Sequence, residues 1–290
     1  MERRGFWKGF VLFLLLFSLL LGVYYGLQEW RLRLLKGTYV GLVFLEGPIN
    51  SQKAREFIDL LERATEDPRV GAILVRVNSP GGSVAPSQEI YRAIMDIRGE
   101  KRVVASLGSV GASGAYYVAA AAQEIYADPG TITGSIGVLF TYPQLQELLK
   151  KVGVGKVVVK SGKFKDLASP FRTPTPQEKA ILQGVVNDIY QQFVEDVARA
   201  RGMKVEKVRA LADGRIFTGR QALKLGLVDG LKTQNEVIQY VSRKILGVEG
   251  RPRVLVLEKK EGWREMFRRT RGMLESFLAK TSKIPMWEVK

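Results

Sequence analysis

The chain has 290 residues, of which 46% are hydrophobic and 26% charged, and it contains neither cysteine nor histidine. This composition is typical of a folded protein and excludes a chain that is disordered over most of its length. The lack of cysteine and histidine excludes disulfides, thiol nucleophiles, zinc sites built from these side chains and any catalytic triad that uses imidazole as its base.

The net charge of +16 is concentrated at the two ends of the chain. Residues 1–36 hold six basic and two acidic side chains, and residues 251–290 hold eleven and five. Nucleic-acid binding is one explanation for a basic chain, but the central part has no Arg-rich recognition helix, zinc-finger spacing or RNA-binding aromatic pair. We therefore expect no nucleic-acid partner, and we expect the basic ends to lie near anionic membrane lipid.

Residues 1–36 are predicted to be an N-terminal membrane anchor. The nineteen residues from Gly9 to Leu27 carry no charge, and as a helix they would span about 28 Å, the thickness of a bilayer's hydrocarbon core. A cleaved signal peptide is the alternative, but aromatic and basic residues follow the segment where a cleavage site would have small ones. We favour an uncleaved single transmembrane helix, whose orientation the balanced flanking charges do not decide.

Apolar strands and amphipathic helices alternate between residues 37 and 250, which predicts an α/β fold with a mostly parallel sheet. The predicted strands are Tyr39–Leu45, Val70–Val77, Arg102–Ser106, Glu124–Ala127, Ile136–Phe140 and Lys156–Val159. The predicted helices are Ser51–Thr65, Ala85–Ile97, Gly114–Ala122 and Gln177–Ala200, the last begun by Pro176.

Residues 251–290 are predicted to form a basic C-terminal segment with a strand and an amphipathic helix. Packing of this helix on a neighbouring subunit is favoured over contact with anionic lipid, and both remain open.

Two glycine-rich loops stand between a strand and a helix. In the first, Gly81 and Gly82 can present backbone N–H groups that no side chain obstructs, either in a plain turn or toward an anion. In the second, Ser113 begins a helix of small residues, where capping is the commoner role of a serine. The surrounding Gly and Ala residues also leave room for a substrate to reach its hydroxyl, so a nucleophile is the alternative.

A third loop follows a predicted strand and carries Lys160, Lys163 and Lys165. Loop lysines are usually solvated, but a buried lysine can lose its proton near neutral pH because burial disfavours the charged ammonium. In a chain without histidine, lysine is the leading candidate for the base that a serine nucleophile needs.

Five motifs occur in order between about Gly37 and Leu246: VRVNSPGGSV, GASGAYYVAAAA, ADPGTITGSIGV, KSGKFKD and DGRIFTGRQALKLGLVDG. With these motifs the chain resembles the short bacterial form of the signal peptide peptidase SppA family. The resemblance implies a Clp protease/crotonase-like fold of repeated β-β-α units with a mostly parallel sheet, preceded by one transmembrane helix.

The resemblance also implies a role for individual residues. Ser113 matches the nucleophile, Lys165 the general base and Ser135 the hydroxyl that positions the lysine amine. The backbone N–H groups of Gly82 and Gly114 match the oxyanion hole, and no metal or cofactor is implied. Lys163 is expected to be solvated. Ala115 departs from the family pattern, which often has a second glycine there. Tyr116, Tyr117 and Leu139 are candidate pocket walls.

By resemblance, the chain is expected to be a serine endopeptidase that degrades cleaved signal peptides, or other hydrophobic peptides, in or at the membrane. Its catalytic domain would be extracytoplasmic on a single-pass cell-membrane anchor. A homo-oligomer is expected, in which Ser and Lys of one site come from neighbouring subunits, so that an isolated protomer would be inactive. The alternatives are a Ser/Lys membrane peptidase of the stomatin-cleaving type, a non-catalytic membrane scaffold of the same fold and, less favoured, an acyl-CoA crotonase.

Overall fold

The computed structural model describes residues 13–27, residue 30 and residues 36–258. Residues 13–27 are helical (α1), and no helix in the described ranges is both long and apolar enough to cross a bilayer. The first four residues of the predicted span, 9–12, lie outside the described residues. So does the predicted amphipathic helix within residues 259–290. The contacts of the chain separate a unit that ends at Leu257 from one that begins at Glu258.

Eight strands of the described chain form one sheet. They are β1 (Tyr39–Glu46), β2 (Val70–Ser79), β3 (Arg102–Ala112), β4 (Glu124–Ala127), β5 (Ile132–Gly134), β6 (Ile216–Thr218), β7 (Gly230–Leu231) and β8 (Arg253–Val256). The order is β6-β5-β3-β2-β1-β8, with β4 pairing with both β3 and β7. Within the described sheet, all pairings are parallel except β5 with β6. The predicted mostly parallel α/β sheet is therefore confirmed.

Helices connect the parallel strands. They are α2 (Ser51–Glu66), α3 (Val84–Ile97), α4 (Gly114–Ala120), α5 (Gln146–Lys151), α6 (Pro176–Arg201), α7 (Val205–Leu211), α8 (Gly219–Leu225) and α9 (Gln234–Tyr240), which continues as a short π-helix over Val241–Ile245. Asn50 caps α2, because the Asn50 side chain accepts a hydrogen bond from the N–H of Lys53.

Apolar residues cover both faces of the sheet because neighbouring strand residues point to opposite sides. Val43 and Ile73 pack on one face with the apolar stripes of α2 and α3, represented by Phe57 and Ile90. Val40, Leu42, Ala72 and Leu74 pack on the other face with Val237 of α9. The sheet is therefore enclosed between two layers, and the carboxyl ends of β2 and β3 come out at the same edge.

Three strand predictions were wrong: one strand is longer than predicted, and two do not form in the described protomer. β3 does not stop at Ser106 but runs on to Ala112, because residues Val110–Ala112 pair with β5. Residues 136–140 and 156–159 form no strand in the described protomer. In the second segment the valines are exposed, Val157 by 91% and Val159 by 96%, and the segment pairs with no strand of the described sheet.

Candidate active site

Ser113 joins β3 to α4 in a backbone conformation that serine rarely adopts. Its φ of 56° and ψ of −125° lie in a region that favours glycine. The Ser113 N–H donates to the carbonyl of Gly134 at 2.8 Å, and the Ser113 carbonyl accepts from the N–H of Tyr117 at 2.9 Å. Its side chain makes no capping hydrogen bond. The backbone is thus held on both sides while the hydroxyl remains unused by the helix that it precedes.

Ser113 lies on the wall of a cavity of about 700 Å³. Most of the wall is apolar and comes from α3, from the segment after Ser135 and from the middle of α6: Val84, Val138, Leu139, Val186, Ile189, Tyr190 and Phe193. A cavity of this size and lining can receive apolar side chains of a peptide.

Gly81 packs against the turn at Ser113, and Gly82 packs against Ile49, more closely than any other residue type could. Gly81 has a φ of +95°, and a Cβ there would lie 2.7 Å from the N atom of Gly114 and 2.9 Å from the Cβ of Ser113. A Cβ on Gly82 would lie 2.1 Å from the carbonyl oxygen of Ile49. The glycine pair therefore allows backbone to meet backbone beside Ser113.

Gly82 and Gly114 both line the cavity. Ile49 makes a bridge to Gly82 by donating to the carbonyl of Gly81 and accepting from the N–H of Ser83, each at 2.9 Å. This pairing directs the Gly82 N–H away from Ile49. Within residues 36–258, no turn, loop or cap hydrogen bond uses the N–H of Gly82 or of Gly114. Two amides next to a serine hydroxyl are suited to hold a negatively charged oxygen.

Ser135 lies on the wall of the same cavity, one residue after β5. Its φ is 52°, and its N–H donates to the carbonyl of Arg215 at 2.8 Å. Four predicted site residues, Ser113, Ser135, Gly82 and Gly114, therefore surround one cavity.

Lys165 is exposed and does not line this cavity. It lies in a turn in which its own N–H donates to the carbonyl of Gly162 at 3.2 Å. Lys163 is exposed as well, and its Nζ donates to Oε1 of Gln177 at 2.7 Å. The single protomer thus brings the predicted nucleophile and the two predicted oxyanion-hole residues to one cavity wall but does not place the predicted base there.

The carboxylate that follows Lys165 is held by cations. Hydrogen bonds from Arg172 and Lys160 keep the pKa of Asp166 well below its usual range. Arg172 also lowers the pKa of Glu178 to about 2. Both carboxylates are therefore ionised over the whole neutral range, and the positive charges of Arg172 and Lys160 balance their two negative charges.

Tyr117 forms the back of the cavity. Its ring packs against Phe193 with centroids 4.6 Å apart, and its hydroxyl donates to the carboxylate of Asp196 on α6. Burial and this hydrogen bond raise the pKa of Tyr117 well above its ordinary value, so the hydroxyl stays protonated. The prediction of a pocket wall is confirmed for Tyr117 and Leu139. It was wrong for Tyr116, which is fully buried and donates to the carbonyl of Leu227 at 2.8 Å.

Sequence analysis missed the wall contributed by α6 and by the turn around Asp213. Val186, Tyr190 and Phe193 recur at helical spacing, which was a signal for a buried face but not for a cavity. Asp213 faces the cavity, and its ion pair with Arg215 lowers its pKa to about 2. Among the described residues, no cluster of three or more acidic side chains could hold a metal ion.

The chain matches the family model "Peptidase family S49" over residues 96–245 and the model "Clp protease" over residues 33–131. The chain is 48% identical over 180 residues to a candidate protease of Synechocystis sp.. The aligned residues make up 62% of this chain and 65% of that protein. The chain is 36% identical over 191 residues to a candidate signal peptide peptidase SppA of Enterococcus faecium, covering 66% of this chain and 56% of the relative.

A solved structure of a membrane-bound stomatin-specific protease, in a serine-to-alanine mutant, superposes with a TM-score of 0.55. The two sequences are 16% identical, and the superposition covers 77% of this chain and 99% of the other. The likeness therefore supports the fold alone. The chain spans about three fifths of the length of three of the curated relatives it matches, and about a quarter to a third of the length of several others. Because the S49 model covers more than half of the sequence, including Ser113, Ser135 and Lys165, the chain belongs to peptidase family S49.

Proposed function

We propose that the chain is a serine endopeptidase with Ser113 as nucleophile and Lys165 as general base. One observation carries the proposal. Ser113 has a strained backbone, its side chain makes no capping hydrogen bond, and it lies at a cavity wall beside the N–H groups of Gly82 and Gly114. Membership of family S49 and the naming of several relatives as proteases support the same chemistry.

In the proposed reaction, neutral Nζ of Lys165 accepts the proton of the Ser113 hydroxyl as Oγ bonds to a peptide carbonyl carbon. The carbonyl oxygen becomes an oxyanion and is held by the amides of Gly82 and Gly114; each such donor is worth about 2.7 to 4 kcal/mol of barrier. The ammonium then protonates the leaving nitrogen as the C–N bond breaks. A water molecule, deprotonated by the same amine, attacks the acyl ester; the bond between the acyl carbon and Oγ then breaks, and the ammonium returns the proton to Ser113. The Ser135 hydroxyl would orient the amine.

A lysine base accepts a proton only when its amine is neutral. We therefore expect peptidase activity to rise toward alkaline pH, and an activity that stays flat between about pH 6 and 10 would contradict a lysine base.

We further propose that the Ser/Lys pair is completed between copies of the chain in a homo-oligomer. Lys165 is exposed and lies outside the wall of its own protomer's cavity, which supports donation to a neighbouring copy. Exposed apolar side chains before the lysine loop support a contact there, because burying apolar surface away from water is favourable: Leu139, Phe140, Val154, Val157 and Val159.

The proposed substrate is a hydrophobic peptide at the membrane, such as the remnant of a cleaved signal peptide. The apolar cavity wall and a relative named as a signal peptide peptidase support this class. An N-terminal single-pass anchor with an extracytoplasmic catalytic domain is part of the proposal. The described residues of α1 support it, because the large apolar side chains there, from Phe13 to Leu27, are exposed, and a helix that is apolar on all sides is suited to lipid.

The test combines three variants with a serine-directed fluorophosphonate probe. Ser113→Ala and Lys165→Ala should each abolish cleavage of a signal-peptide remnant in vesicles and labelling by the probe, because one lacks the nucleophile and the other the base. Lys163→Ala is the matched control two residues away and should retain both. Mass spectrometry should locate the label on Ser113. Equal activity in all three variants would refute the proposed dyad.

A further inference from the structure

The loop that carries Lys165 is tied to α6 by one guanidinium. Nε of Arg172 donates to Oδ2 of Asp166 at 2.8 Å, and the Arg172 NH2 group donates to Oδ1 at 2.9 Å and to the Asp166 carbonyl at 3.3 Å. Arg172 therefore holds both the side chain and the backbone of the residue that directly follows Lys165.

The same guanidinium binds a second carboxylate on a rigid element. Arg172 donates to both carboxylate oxygens of Glu178, through NH1 at 2.7 Å and through NH2. Glu178 is 3% exposed and belongs to the capping box of α6, in which its carboxylate accepts from the N–H of Thr175 at 2.8 Å. Since α6 also forms part of the cavity wall, the lysine loop is anchored to the element that shapes the site.

Lys160 completes the attachment from the other end of the loop. Its Nζ donates to Oδ1 of Asp166 at 2.5 Å and to the carbonyl of Lys163 at 3.0 Å. The Asp166 side chain is thus held from both flanks, whereas the structure gives the Lys165 side chain no such hydrogen bond within the described residues.

We propose that Arg172 is a positioning residue for Lys165, acting through Asp166 and Glu178. The inference rests on the proposed function, in which Lys165 is the base. This bridge, from Asp166 through Arg172 to Glu178, fixes the backbone next to Lys165. The loop therefore has one conformation before it contacts Ser113 of a neighbouring copy. Without the bridge, the exposed turn would sample several shapes, and the amine would lie within hydrogen-bonding distance of the hydroxyl for a smaller part of the time.

A positioning role and a merely structural one differ in what they change. A mispositioned base slows the deprotonation of Ser113 and so lowers kcat, but it leaves the apolar cavity that binds the peptide as it was. It also slows reaction of Ser113 with a fluorophosphonate, which does not depend on peptide binding. A structural defect would lower the melting temperature or the amount of assembled particle in proportion to the lost activity.

The experiment compares Arg172→Ala with Arg69→Ala in the full chain in detergent. Arg69 is the matched control, because it makes a similar two-pronged pair with Asp67 and has similar exposure, but it precedes β2, at the opposite end of that strand from Gly82. In Arg172→Ala we expect kcat and the labelling rate of Ser113 to fall about 10- to 100-fold, with KM within about threefold. Arg69→Ala should keep both rates within about twofold.

Two further variants make the role of the bridge explicit. Arg172→Lys keeps the charge but cannot bind two carboxylates with a planar fork, so its kcat should fall between those of the wild type and Arg172→Ala. Asp166→Asn should reproduce the loss, and the double variant Arg172→Ala/Asp166→Asn should lose little more, because both changes break the same contact.

The outcomes separate this inference from the proposed function. If Ser113→Ala and Lys165→Ala abolish labelling while Arg172→Ala and Asp166→Asn label at the wild-type rate, the positioning role is refuted and the dyad stands. If Lys165→Ala labels normally, the dyad itself fails. Particle size is measured for every variant, and a loss of kcat that accompanies loss of assembly in Arg172→Ala, Arg172→Lys and Asp166→Asn alike would also overturn the positioning role.

Discussion

Ser113 and Ser135 share an unusual backbone. Among the described residues, three that are not glycine have a positive φ, and two of these are the serines at the cavity wall. Such conformations cost about 1 to 3 kcal/mol each and persist where the surrounding structure enforces them. For Ser113 the enforcement is visible in its hydrogen bonds to Gly134 and Tyr117. Sequence spacing alone favoured capping for this serine, because a sequence motif does not reveal the φ angle that turns the hydroxyl away from the helix.

Replacing Ser113 by glycine should relieve this strain. We expect Ser113→Gly to be more stable than Ser113→Ala by about 1 kcal/mol, because glycine adopts positive φ freely and this gain exceeds the entropy that glycine loses on folding. Both variants should be inactive. Thermal or urea unfolding of the two proteins measures the difference. A Ser113→Gly protein that is less stable than Ser113→Ala would show that the turn is not strained.

Gly114 offers a second prediction at the scale of one residue. A Cβ on Gly114 would lie 2.4 Å from Oγ of Ser87, a distance at which atoms must move. Gly114→Ala should therefore displace the amide proposed for the oxyanion hole and lower kcat about 10²-fold or more. Peptide hydrolysis under saturating substrate measures this loss.

The double variant Gly114→Ala/Ser87→Ala provides the control. Removing Oγ leaves the Ser87 Cβ, 3.3 Å from the new carbon, as the nearest side-chain atom. We expect the double variant to recover a large part of the lost kcat. If it stays as slow as Gly114→Ala, the clash with Ser87 is not the cause.

At the scale of elements, local pattern was sufficient where a segment pairs with its neighbours in sequence. The apolar runs of β1 and β2 and the proline that starts α6 were predicted within a few residues. The extension of β3 to Ala112 was missed because it depends on pairing with β5, twenty residues later. The valines of residues 156–159 have the composition of a buried strand, yet they pair with nothing in the described protomer. Apolar, β-branched composition indicates a surface that must be covered, not what covers it.

The start of α6 gives a prediction about acid stability. Arg172 lowers the pKa of Glu178 to about 2 from an ordinary 4.5. A carboxylate with a lowered pKa stabilises the folded state above its unfolded pKa, and this contribution is lost as the pH falls through the folded value. The contribution of Glu178 should therefore be complete above about pH 5 and disappear between pH 4.5 and about 2.

Glu178→Gln tests this dependence, since glutamine still forms a capping box but carries no charge. Its melting temperature should lie below that of the wild type by a constant amount from pH 8 to about 5, and the difference should shrink below pH 4.5. A difference that is unchanged down to pH 2.5 would mean that the ion pair with Arg172 does not contribute.

At the scale of the whole molecule, the motifs predicted the residues of the candidate site, but their order along the chain did not show which copy supplies each of them. Four of the predicted site residues line one cavity within a single protomer: Gly82, Ser113, Gly114 and Ser135. They lie together because they follow the ends of β2, β3 and β5, which are neighbours in the sheet. Lys165 lies on an exposed turn after an unpaired segment. Residue order along a chain cannot distinguish a contact within a copy from one between copies.

Mixed particles provide that measurement. When differently tagged Ser113→Ala and Lys165→Ala chains are co-expressed in equal amounts, an active site arises wherever Ser113 of a Lys165→Ala chain meets Lys165 of a Ser113→Ala chain. With random mixing about one junction in four meets this condition, so tandem-purified particles should show about a quarter of wild-type activity. Particles of Ser113→Ala with the double variant Ser113→Ala/Lys165→Ala are the control and should be inactive. If the first mixture is equally inactive although both tags are present, serine and lysine must act within one chain, and the exposed valines need another explanation.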